Sequence, residues 1–145
     1  MIVADTNLVA YLVIDGDRTG AARRVWGLDP DWRLPPLWRA ELLNVLATTV
    51  RAGLLTSAQA HQCWGAASDL FRDAEVEPGG AAVLDVAVNR RVSAYDAQFV
   101  AVAESLGVRL VSGDRALVSA CPERAVLIED FAPAAQGSGP PPGAP

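Results

Sequence analysis

The sequence predicts an α/β domain built on a mostly parallel sheet with helices covering both faces. Short apolar runs of Val, Leu and Ile, at residues 1–4, 109–111 and 125–128, have the length of strands rather than helices. Longer stretches with apolar residues at helical spacing alternate with them. With 145 residues and 51% hydrophobic composition, the chain has enough apolar material for one domain with a real core.

Each element has a local reason. Residues 1–4 read as a buried strand, and 7–14 and 19–28 as helices, before the turn signal Asp29-Pro30-Asp31. Trp32–Leu34 is a short strand stopped by Pro35-Pro36, and Pro36 suits the first turn of a helix over 37–52. That helix carries Leu42, Val45, Leu46 and Val50 and ends at Gly53. Thr56 or Ser57 caps a long helix to about Asp73, striped by Ala60, Cys63, Trp64, Ala67, Leu70 and Phe71. Val76-Glu77-Pro78 is a brief extended piece, followed by a helix over 80–89. Ser93 opens a helix through Leu106, closed by Gly107; a strand at 109–111, a short helix at 115–120 and a strand at 125–128 complete the order. A folded domain is expected over 1–132. From Pro133 the composition turns to Pro, Gly, Ala and Ser without charges, so a disordered tail is expected over 133–145.

Composition narrows the function. The start lacks a basic n-region and its apolar runs are broken by Asp5, Asn7 and Asp15, so neither a signal peptide nor a membrane span is expected, and a soluble cytoplasmic protein is. Cys63 and Cys121 are too few for a disulfide framework. His61 and Cys63, two residues apart, do not share a helix face, which favours packed thiols over zinc. A net charge of -5 argues against a passive nucleic-acid binder with a basic face. All 12 basic residues are Arg; without Lys, a P-loop lysine, a lysine nucleophile and a Schiff base are excluded.

Four carboxylates stand out. Asp5 follows the first strand and can cap the helix after it. Glu41 lies near a helix start, where the macrodipole favours negative charge. Asp96 stands three residues after Ser93 in a capping-box pattern, and Asp114 precedes the short helix. Taken singly, each has this structural explanation. Taken together, three of them follow predicted strands, and ligands of open parallel sheets bind beyond the carboxyl ends of the strands. Carboxylates gathered there repel one another, and a hard cation such as Mg²⁺ or Mn²⁺ relieves the repulsion and can activate a water.

The segments "IVADTN", "PPLWRAELLNVL", "VSAYDAQFVAVAESLGVRLVSGDRAL" and "VLIEDF" together resemble the PIN-domain ribonucleases, most closely the VapC-type toxins of bacterial toxin–antitoxin pairs, over about residues 1–131. The resemblance implies a PIN-like three-layer sandwich with a mostly parallel, five-stranded sheet between helices. It implies that Asp5, Glu41, Asp96 and Asp114 are the catalytic quartet that holds Mg²⁺ or Mn²⁺. Asn7 and Ser112 match the polar positions that orient carboxylates or waters, Ser112 replacing the commoner Thr. The activity implied is metal-dependent endoribonucleolytic hydrolysis, on RNA that includes tRNA as a candidate. A homodimer and a cognate antitoxin protein are the implied partners. Trp38, Leu42 and the stripe around Trp64 suit either an antitoxin groove or ordinary core. Arg39, near Glu41, and Arg115, beside Asp114, are candidate phosphate ligands; Arg23-Arg24 and Arg90-Arg91 are further basic spots.

Other families that set an Asp after the first strand fit poorly. A haloacid-dehalogenase-like phosphatase needs a second Asp where this chain has Asn7, and both it and a receiver domain need a lysine. A PIN-like module that binds RNA or protein without cutting is the alternative of a different class. Loss of an acidic residue would mark it, and all four are present.

Overall fold

The computed structural model describes residues 1–133; the tail expected to be disordered falls, over 134–145, outside the described residues. Strands β1 (Ile2–Ala4), β2 (Trp32–Arg33), β3 (Leu110–Ser112) and β4 (Ala125–Leu127) form one sheet in the order β2-β1-β3-β4, all parallel. The helices are α1 (Thr6–Val13), α2 (Thr19–Leu28), α3 (Trp38–Arg51), α4 (Ser57–Leu70), α5 (Gly80–Arg90), α6 (Ala94–Leu106) and α7 (Arg115–Ala120), with a 3₁₀ turn at Ile128–Asp130. Among the described residues no helix is long and apolar enough to cross a membrane.

The five-stranded sheet expected from the family resemblance is corrected to four strands. The extended piece near Val76 contributes only an isolated parallel bridge, Glu75 to Leu34, at the β2 edge. Its two backbone bonds are Leu34 N–H to Ala74 O at 3.1 Å and Val76 N–H to Leu34 O at 2.9 Å. Pro78, two residues on, has no N–H to continue a ladder.

Strand alternation sorts the core into two layers. Ile2 and Ala4 pack with α1–α4 on one face, while Val3 between them packs with α5–α7 on the other. Val111 and Leu110 divide in the same way. On the first face Trp32 stacks on Phe71 at 5.8 Å, and Trp26 and Trp38 meet Phe71 edge-on at 6.1 and 5.8 Å. α4 ends at Leu70, short of the Asp73 expected from the sequence, and its C-cap Phe71 places its ring in that cluster. Trp38 and Leu42 are fully buried core, whereas Trp64 is only half-buried. Cys121 is buried on the second face, and the Cys63 thiol donates to Val13 O at 3.1 Å. Burial raises both thiol pKa values, which keeps them protonated.

Chain order and strand order together position the site. The chain leaves β1 for β2 on one side and returns to β3 on the other, so the order reverses between β1 and β3. Asp5 lies directly beyond β1, and Gly113 and Asp114 directly beyond β3.

Candidate functional site

The four carboxylates come from four separate places in the chain and line one small cleft of about 60 Å³, together with Thr6, Asn7, Phe99 and Leu117. The caps at the starts of α1, α6 and α7 form, and they orient three of the acids. Asp5 caps α1 through Leu8 N–H at 2.7 Å. Asp114 caps α7, its Oδ1 accepting from Ala116 and Leu117 N–H at 2.8 and 3.1 Å. Ser93 caps α6 by accepting the Asp96 N–H at 3.0 Å, which sets Asp96 in the first turn facing the cleft.

The strand-end half is built from buried groups. Asp5 is 6% exposed and Ser112 is fully buried. The Ser112 hydroxyl donates to Asp5 Oδ2 at 2.6 Å and accepts the Asp114 N–H at 2.9 Å, so one side chain ties the two acids together. Gly113 N–H adds a third donor to Asp5 at 3.1 Å. On the helix side the Thr6 hydroxyl donates to Glu41 Oε1 at 2.9 Å. Sequence reasoning missed Thr6, whose partner lies 35 residues away, and the Gly113 amide, which carries no side-chain signal. The Thr between Asp5 and Asn7 was the available clue, a hydroxyl directly after a strand-end carboxylate.

Three acids share one electrostatic condition. Burial pushes the Asp5 carboxyl up to about 6, against the lowering effect of Ser112, Leu8 and Gly113, and the nearby Asp114 charge pushes it up further. Burial also raises Glu41, opposed by Thr6 and reinforced by Asp96. Burial raises Asp96, opposed by Ser93 and reinforced by Asp114. The cleft thus concentrates negative charge that its own hydrogen bonds only partly offset. Among the described residues, no three His, Cys, Asp or Glu side chains stand close enough together to form a ready-made metal site. The acids are arranged around a cleft instead, with hard oxygen donors of the kind that suits Mg²⁺ or Mn²⁺.

The remaining candidates separate. Asn7 lines the cleft, yet among the described residues its side chain makes no hydrogen bond to the carboxylates. Arg39 is turned away: its guanidinium pairs with Glu75, which also accepts Trp38 Nε1–H at 2.9 Å, and stacks over the Trp38 ring. Its proximity to Glu41 in sequence does not carry into space as a cleft contact, because Glu75 holds it at the other edge of α3. Arg115 pairs with Glu129 at 2.8 Å, but its side chain is 75% exposed. The other basic spots are also engaged. Arg24 donates to Phe131 O and Ile128 O at 2.9 and 2.5 Å, and Arg90 pairs with Glu123.

Comparison with known proteins bears on the family and the fold. The family model described as PIN domain matches residues 2–121. Ribonuclease VapC3 of Pyrobaculum aerophilum is 27% identical over 124 residues, covering 83% of this chain and 95% of that protein. The crystal structure of PAE2754 from Pyrobaculum aerophilum superposes with a TM-score of 0.69 at 27% identity, over 88% of this chain and 90% of that one. FitAcB from Neisseria gonorrhoeae shares the fold with a TM-score of 0.67 at 16% identity, over 90% of this chain and 100% of that one.

Proposed function

The chain belongs to the PIN domain family, and from that premise we propose that it is an endoribonuclease dependent on Mg²⁺ or Mn²⁺, the toxin of a toxin–antitoxin pair. The observation that carries the reading is the convergence of Asp5, Glu41, Asp96 and Asp114 on one cleft at the reversal point of a parallel sheet. The likeness to a ribonuclease named VapC3 supports it.

These four carboxylates would hold the metal. Their fit rests on donor chemistry: hard oxygens, and three acids, Asp5, Glu41 and Asp96, that burial and neighbouring negative charge hold above their ordinary pKa values until positive charge arrives. A bound divalent ion lowers the pKa of a coordinated water and offsets charge on a scissile phosphate. The protein's part is positioning. Ser112 and Gly113 fix the rotamer of Asp5, and the Ser112 hydroxyl holds the Asp114 backbone in place. Thr6 aims Glu41 from the α1 side. Phe99 and Leu117 give the cleft an apolar wall, which limits water around the acids. Arg115 can leave Glu129 for a phosphate because its side chain is largely in solvent.

An antitoxin would bind near this cleft, and a homodimer would extend the RNA track. Beside α3, an apolar groove of about 550 Å³ lined by Leu43, Leu46, Val50, Ala60 and Trp64 is available to such a protein segment.

The test is cleavage of an end-labelled mixed RNA pool with Mn²⁺, with EDTA and by Asp96→Asn. Metal-dependent cutting by the wild type, reduced at least about a hundredfold in the variant with its fold intact, is expected. Normal cutting by Asp96→Asn overturns the site assignment. Mn²⁺ binding without any cutting favours the non-cleaving RNA- or protein-binding module.

A further inference from the structure

A second cavity, about 300 Å³, adjoins the acidic cleft, and the two share Thr6, Asn7 and Glu41 as their common wall. Its far side consists of Leu37, Asn44, Val45 and Tyr95. Leu37, Glu41 and Asn44 lie four and three residues apart, so they stand on one face of α3 and aim at the first turn of α6. Tyr95 is 65% exposed there, directly before Asp96. An exposed aromatic ring at the rim of a cavity provides a flat surface for stacking. The amides of Asn7 and Asn44 each offer a donor and an acceptor, and among the described residues neither is used in a hydrogen bond.

We propose that this cavity binds one unpaired nucleobase of the RNA, next to the phosphate that is cut, with Tyr95 stacking on the base and Asn44 and Asn7 reading its edge. The proposal rests on the nuclease reading of the adjoining cleft. Charge supports it. A chain of net charge -5, whose arginines near the site are paired with Glu75 and Glu129, cannot depend on a long phosphate track for affinity. Contacts to bases must then supply a larger share, and a base can be splayed into a side pocket only from a single-stranded or looped segment. The lining suits a base better than a phosphate: Leu37, Ala40 and Val45 are apolar, and the one charge present, Glu41, is negative.

The experiment measures fluorescence anisotropy of labelled, short oligonucleotides of adenine, cytosine or uracil in EDTA, where metal-dependent cutting is switched off. It uses the full chain, Tyr95→Ala and Asn44→Ala. Tyr95 and Asn44 are exposed, so both variants are expected to melt with the wild type. The wild type is expected to rank the bases. Tyr95→Ala should weaken every oligonucleotide about tenfold, and Asn44→Ala should collapse the ranking. Wild-type affinity and ranking in both variants overturns the pocket even if the protein cuts RNA. Absence of binding by the wild type also overturns it, leaving this face to a protein partner. Ranked, Tyr95-dependent binding by a protein that never cuts RNA upholds the pocket and rejects the nuclease instead.

Discussion

The two halves of the acidic cleft are built differently. The strand-end half holds Asp5 with a hydroxyl and two backbone amides, and that hydroxyl also holds Asp114. The helix half holds Glu41 by one hydroxyl, on a side chain only partly buried. The first half is a fixed frame whose geometry the backbone dictates. The second can adjust to whatever enters the cleft. On the proposed nuclease reading, the rigid face serves the metal and the adaptable one the substrate.

The largest expected effect tests the buried frame through its pH dependence. Asp5 sits near 3.8 when unfolded and about 6 when folded, so the folded state binds the proton more tightly. Between these values the native protein holds more protons than the unfolded chain, and stability falls as pH rises. At about 1.4 kcal/mol per unit, Asp5 alone lowers the stability of the metal-free protein by about 2 kcal/mol from pH 4 to 7. Glu41 and Asp96 shift in the same direction. Denaturant melts in EDTA across this range measure the slope. Asp5→Asn, whatever its own stability, should flatten it, and Mn²⁺ should stabilise the wild type more at pH 7.5 than at pH 5.

A smaller effect separates the halves directly. Ser112→Ala removes a donor from a buried carboxylate and an acceptor from the Asp114 N–H, so a loss of about 2–3 kcal/mol is expected. Thr6→Val removes one bond to a carboxylate that water can reach, and about 1 kcal/mol is expected. Both should weaken Mn²⁺ binding roughly ten- to a hundredfold. Calorimetry with Mn²⁺ beside thermal melts gives both numbers. Equal stability losses would mean that the halves are equally rigid and would end the comparison.

The same asymmetry governs what the sequence made legible. Asp5, Asp96 and Asp114 were readable because each occupies a capping position beside an element that the apolar pattern already marks. Glu41 was readable as a helix-start acid, yet its orienting partner was not, because the Thr6 bond spans two helices. The two core layers follow from strand alternation, but the sheet lost its expected fifth strand. Whether an edge segment pairs for one residue or three depends on neighbours that Pro78 does not announce beyond its missing donor. Arg39 shows the converse: two positions from Glu41 in sequence, it leaves the site because Glu75, from a segment that local pattern cannot connect to α3, captures it beside the adjacent Trp38 ring.

That capture gives the smallest effect and the sharpest contrast. Arg39 and Arg115 both stand within two residues of a cleft acid, and both are paired. Arg39 is held by a partly buried carboxylate and an aromatic face, and Glu75 keeps its Trp38 contact when the arginine is gone. Arg39→Ala should therefore reduce stability by about 0.5–1 kcal/mol and change cleavage less than about twofold. Arg115 is solvent-exposed and tied to Glu129 by a pair worth almost nothing in stability. Arg115→Ala should melt with the wild type yet raise the KM for RNA several-fold, by about 1 kcal/mol of lost phosphate contact. Thermal melts and initial rates on one RNA distinguish the two. If Arg39→Ala impaired cleavage more than Arg115→Ala, the adaptable side of the cleft would extend along α3 to Arg39, and the Glu75 pair would be a latch that substrate opens.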